Sequence, residues 1–98
     1  GKLMLVEIKR LDIANDGYKR KVSISRMYIN VDHIISIKDY EAVESFLLRE
    51  EATDMIDKKF CLVNISNGDK VDQIIALGTS EEMFSRFNSA SERKLLNG

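Results

Sequence analysis

Proline and tryptophan are absent from this chain, cysteine and histidine occur once each, and each gap closes off a class of protein. A lone Cys61 cannot form an internal disulfide, so the framework of a small secreted domain is missing and a reducing, cytoplasmic setting is the expectation. With only Cys61 and His33 as soft ligands, a tetrahedral structural zinc site cannot be completed within the chain. Long hydrophobic runs are missing as well. Nearly uncharged stretches such as residues 27–31 and 73–80 stay under ten residues, far short of the roughly 20 that a bilayer-spanning helix takes. No membrane contact is expected. Lys2, Glu7, Lys9 and Arg10 interrupt the N-terminal segment before an apolar region of signal-peptide length develops. Gly1 is not a native initiator, which puts the expected natural start at Lys2 or slightly upstream.

What is present is an ordinary globular composition: 98 residues, 44% hydrophobic and 32% charged. That length suits one domain over residues 1–98, with one core and no deep inter-domain cleft, which excludes large multi-substrate enzymes. No internal repeat and no Pro-, Gly- or Ser-rich linker divides the chain.

A formal net charge of −1 conceals a division along the chain. Residues 2–26 carry net +4, residues 27–57 net −6, and the rest net +1. Opposite charge on one small body can steer a partner, pair within the molecule, or pair with a second copy; solvated faces are the simplest reading.

Residues 3–11 are rich in branched side chains and lead to Asn15-Asp16-Gly17, which reads as a strand and a turn. Tyr18, Val22, Ile24 and Tyr28 then alternate with polar residues, predicting a second, antiparallel strand with these four on its buried face. Ile35 and Ile37 open a third strand running to Tyr40, with Ser36 and Lys38 toward water and His33 at the entrance. In the acidic segment 41–58, the spacing of Val43, Phe46, Leu47, Met55 and Ile56 predicts a helix. Residues 60–66 run into Asn67-Gly68, the strongest short-range hairpin signal, and residues 71–77 supply the returning strand. Thr79 with Glu82 has capping-box spacing, and Met83, Phe84, Phe87 and Ala90 fall on one stripe, which predicts a docked C-terminal helix closed by Arg93 and Lys94.

Motifs with chemical content are few. Residues 12–17 look like a calcium loop only superficially: Ala14 and Ser23 stand where the third and twelfth ligands belong, so a hairpin turn is preferred. His33 is the only imidazole that could activate Ser36, and strand geometry turns positions 33 and 36 to opposite faces. Cys61 between Phe60 and Leu62 reads as a core residue. No enzyme activity and no cofactor are expected. Asn64-Ile65-Ser66 matches a glycosylation acceptor by chance, within a strand and without a signal peptide. The basic hairpin is the best nucleic-acid argument: Lys19, Arg20, Lys21 and Arg26 could neutralise phosphates while Tyr18 and Tyr28 stack on bases. A sequence pI near 5.8 argues against it. The preferred reading is a cation-protected sheet edge or a protein contact.

Tyr28-Ile29-Asn30-Val31-Asp32-His33-Ile34, then Asn64-Ile65-Ser66-Asn67-Gly68, then Ser80-Glu81-Glu82 come in an order that resembles the small FlbD-like proteins of bacteria and their phages. The resemblance covers about residues 22–88 and implies a small β-rich module without catalytic residues to carry over. The acidic segment 41–58 departs from it, replacing what is a short connection in that family. A second likeness, to the DNA-binding domain of LytTR response regulators, rests on the same strand and Asn-Gly pattern and lacks that family's basic character.

Together these features predict an α+β domain: about five mostly antiparallel strands as a curled sheet or small open barrel, a C-terminal helix, and a helix in the 41–58 insertion. The expected role is non-enzymatic interaction or regulation, binding a protein partner or forming a homo-oligomer, with nucleic acid as the alternative. Lys19, Arg20, Lys21 and Arg26 are the candidate surface for an anionic partner, and Glu44, Glu50, Glu51 and Asp54 for a basic one.

Overall fold

The computed structural model describes residues 4–52 and 54–97. Leu3, where the first strand was expected to start, lies outside them. The elements run β1 (Leu5–Asp16), β2 (Lys19–Asn30), a 3-10 turn (Val31–His33), β3 (Ile34–Asp39), α1 (Ala42–Arg49), β4 (Phe60–Asn67), β5 (Lys70–Leu77) and α2 (Ser80–Asn97). The strands form one five-stranded sheet in the order β2-β1-β5-β4-β3, every neighbouring pair antiparallel. β2 and β3 are its two edges, so the sheet is open and the barrel alternative is not realised. A helix packs on each face of this sheet, whereas a barrel would turn one face wholly inward.

Both hairpins close through two-residue loops, Gly17-Tyr18 and Gly68-Asp69. In each the glycine has positive φ, 64° and 67°, and the following residue does not, the signature of a type II′ turn. The second turn therefore sits one residue later than Asn67-Gly68, and the first, read over Asn15-Asp16-Gly17 after a strand ending at Leu11, narrows to Gly17-Tyr18 because β1 runs on to Asp16.

Register and strand alternation assign the two faces. Val6 and Ile8 of β1, Ile29 of β2, Cys61 and Val63 of β4, and Ile74 and Ala76 of β5 pack against Met83, Phe87 and Ala90 of α2. Leu11 and Phe60 point the other way and pack with Val43 and Leu47 of α1 and with Met55; Val22, Ile24, Ile75 and Leu77 join them. The single buried face expected for β2 is thus corrected. Val22 and Ile24 face α1, Ile29 faces α2, and Tyr18 and Tyr28 are exposed. A strand covered by different helices along its length has no single apolar parity.

β3 departs from strict alternation too. Ile34 pairs with Ile65 and Ser36 with Asn64, leaving Ile35 as the extra residue of a bulge. The bulge brings Ile34 and Ile37 to the α2 face and leaves Ile35 exposed, against the expectation that Ile35 and Ile37 share the core.

The helix expected over 41–58 occupies only Ala42–Arg49. Ala52 N–H donates to the Leu47 carbonyl (3.0 Å) and Glu51 N–H to the Leu48 carbonyl (3.2 Å), a Schellman ending with Glu51 at φ 56°. Met55 reaches the core from the turn that follows, and Ile56 stays at the surface. At α2, Thr79 Oγ1 accepts the Glu82 N–H (3.1 Å) as its spacing predicted. Asp39 adds an unforeseen cap, its Oδ1 accepting the Ser80 N–H at 2.8 Å and tying the end of β3 to the helix. Phe84, expected on the buried stripe, points to solvent, because the buried side chains of α2 among the described residues are Met83, Phe87 and Ala90.

Candidate functional site

The four basic residues singled out from the sequence do not form one patch. Lys19 and Lys21 project from one face of the hairpin tip and Arg20 from the other, by strand alternation. Arg20 lies over the Phe46 ring of α1, 5.6 Å from its centroid, and Arg26 pairs with Glu7 at 3.1 Å. Lys21 and Arg26 are roughly 17 Å apart at a strand rise of about 3.4 Å per residue. Among the described residues, no ion pair holds Lys19 or Lys21.

The acidic candidates also serve local structure. Glu44 pairs with Lys59 at 3.1 Å, Glu50 and Glu51 form the C-terminal cap of α1, and Asp54 is exposed in the next turn. Because α1 packs on Val22 and Ile24 and beneath Arg20, the acidic segment folds onto the basic hairpin. Among the described residues, however, no ion pair joins segment 41–58 to the hairpin; the cation that meets it there is Arg20, over Phe46.

The nucleophile candidates stay apart. Cys61 is fully buried in the α2-side core. Desolvation, with smaller contributions from the charges of Asp39 and Glu82, pushes its thiol up to about 11, so it stays protonated near neutral pH. His33 is exposed on the 3-10 turn. Among the described residues there is no group of three or more His, Cys, Asp or Glu side chains that could hold a metal, and no charged or polar side chain is buried. No helix of the described residues is long and apolar enough to cross a membrane.

What the fold does offer is sheet edge. β2 presents twelve residues with nothing paired on its outer side. Asp16 and Lys19 flank the tight turn at one end of the β1–β2 ladder, and at the other Val31 N–H donates to the Met4 carbonyl at 3.2 Å. Hydrogen-bonded pairs alternate in an antiparallel ladder, and its register is unbroken. The odd-numbered residues of β2 therefore direct their N–H and C=O groups at β1, and Arg20, Val22, Ile24, Arg26 and Tyr28 direct theirs outward. Val22, Ile24 and Met27 remain only half-buried.

The opposite edge, β3, borders a groove of about 460 Å³ between Ile35 and the start of α2, with Ser80, Glu81 and the exposed Phe84 on its far wall. Its bulge interrupts the regular spacing that an added strand needs. Sequence patterning could not find either edge, because strand order depends on the distant β1–β5 pairing at Arg10 and Ala76. A polar row on the α1-side face, Asn64 donating to Ser36 (2.9 Å) and Gln73 donating to Asn64 (3.2 Å), was likewise invisible until the register was known.

Comparison with family models, with curated proteins and with solved structures finds no match to this chain.

Proposed function

We propose that this chain is a non-enzymatic interaction or regulatory module that binds a protein partner, or a second copy of itself, through an open edge of its sheet. The observation that carries this reading is β2: a twelve-residue edge strand whose residues Arg20, Val22, Ile24, Arg26 and Tyr28 direct their backbone groups outward, with half-buried Val22, Ile24 and Met27 along it. Strand addition supplies affinity through backbone hydrogen bonds, while the side chains beside the edge select the partner.

Nucleic-acid binding is the second reading, favoured by Tyr18, whose side chain is wholly exposed at the hairpin tip beside Lys19 and Lys21. Against it, Arg20 covers Phe46 and Arg26 is paired, which leaves few cations for phosphates. Light scattering of the purified chain, alone and with mixed RNA and single-stranded DNA at low and moderate salt, separates the two. A protein–protein complex that tolerates salt and ignores nucleic acid supports edge binding. A nucleic-acid complex that weakens steeply with salt, and is lost on replacing Lys19 and Lys21 by Ala, supports the second reading.

A further inference from the structure

We infer that the β2 edge is a self-association surface, on which a second copy of the chain adds its own β2 antiparallel across a two-fold axis at Ile24. This inference rests on the edge-binding reading and names its partner. A two-fold axis perpendicular to a sheet pairs residues symmetrically about one position and keeps each face continuous between copies. Centred on Ile24, residues 19–29 of one copy lie against residues 29–19 of the other. Ile24 meets Ile24, Val22 meets Arg26, Arg20 meets Tyr28, Lys21 meets Met27 and Lys19 meets Ile29. Every outward-facing backbone group between Arg20 and Tyr28 then gains a partner.

Charge and length of overlap together select this register: centring on Val22 also keeps cations apart but pairs only residues 19–25 of β2 with one another, against 19–29 about Ile24. The edge carries Lys19, Arg20, Lys21 and Arg26 and no acid, so self-pairing survives only where cations avoid one another. About Ile24, no cation lies opposite another, and Arg20, its guanidinium held over Phe46, falls opposite the exposed Tyr28. Centring on Ser23 sets Arg20 against Arg26, and centring on Arg26 sets that residue against itself. Centring on Ser25 sets Ile24 against Arg26 and gives up the apolar pair on the axis. The other edge competes poorly, since β3 has half the length and carries the Ile35 bulge.

The test combines Ile24→Cys, Ser25→Cys and Arg26→Pro in the full chain. Arg26 directs its N–H outward, so proline there removes an intermolecular donor without touching the β1 ladder. The expected result is a mass twice that of the monomer by light scattering, which Arg26→Pro returns to monomer while keeping its circular dichroism. Mild oxidation of Ile24→Cys is expected to give a covalent dimer in higher yield than Ser25→Cys; the native Cys61, fully buried, stays out of the reaction. Should Arg26→Pro fail to fold, the comparison of the two cysteine variants decides alone. A chain that stays monomeric at all concentrations overturns the inference and leaves edge binding to a different protein standing. So does a dimer that shows no cross-linking at Ile24→Cys, which puts the second copy elsewhere. A monomer that forms only a salt-sensitive nucleic-acid complex overturns both.

Discussion

Glu51 holds a backbone conformation, φ 56°, that costs a residue with a Cβ about 1–2 kcal/mol and glycine little. It is exposed, and among the described residues its carboxylate has no hydrogen bond. Glu51→Gly is therefore expected to stabilise the fold by about 0.5–1 kcal/mol, the relief of strain being partly offset by the greater freedom of glycine in the unfolded chain. Urea unfolding that shows no change, or a loss, would sink this account of the α1 ending. Asp39 gives a pH-dependent case. The Ser80 N–H holds its carboxyl below the ordinary carboxylate value, so the ionised form is favoured by folding. A carboxyl depressed in the fold contributes stability that is complete above its unfolded value, about 3.9, and is lost as pH falls through the folded value. The stability difference between the wild type and Asp39→Asn is thus expected to be full at neutral pH and to shrink below about pH 4. Cys61 has the opposite sign. Its thiol is raised to about 11, so the native state keeps a proton that the unfolded chain sheds, and stability declines between about pH 9 and 11. Cys61→Ala is expected to flatten that limb of the pH profile.

At the level of elements, each helix is fastened by a few side chains on its own face of the sheet. Leu47 is fully buried, and Phe87 is 4% exposed. Leu47→Ala is expected to cost about 2–5 kcal/mol and Phe87→Ala about 3–5 kcal/mol in denaturant unfolding, whereas Phe84→Ala, 62% exposed, is expected to cost little. The features legible in the sequence are those whose cause is local. Gly17 and Gly68 announce tight turns because only glycine takes their φ freely, and Thr79 announces α2 because a hydroxyl three residues before Glu82 can reach its N–H. The features not legible have distant causes. Val22 and Ile24 turn toward α1 while Ile29 turns toward α2, because the helices lie on opposite faces, and no window within β2 contains that information. The helix over 41–58 stops at Arg49 without a glycine, because Glu51 accepts strain that lets Met55 enter the core. The candidate site suffers most: whether β2 is an edge or an interior strand is decided by β1–β5 pairing across more than half the chain. The cations there could be counted from the sequence, but Arg20 on Phe46 and Arg26 on Glu7 could not be foreseen.

At the level of the whole molecule, 50 × 28 × 18 Å in extent, the described residues form two apolar clusters on opposite faces of the sheet. Their surroundings differ sharply along it. Phe60, Cys61, Leu62 and Val63 of β4 are all buried, so that strand is covered on both faces. Residues 13–21, at the tip of the β1–β2 hairpin, are exposed without interruption. β1 keeps its register with β5 only at Arg10 and Ala76, which leaves the tip to rely on its own ladder and on α1. Local opening requires few broken contacts at the tip and most of the core at β4, so amide exchange is expected to grade from fast to slow between them. Leu47→Ala discriminates two pictures of this gradient. If α1 is the tip's main support, the variant speeds exchange of the β2 amides that face β1, such as Lys21 and Ser23, far more than exchange of Cys61 and Val63. If both rise by the same factor, the sheet couples the clusters into one cooperative unit, and the hairpin cannot open apart from the rest.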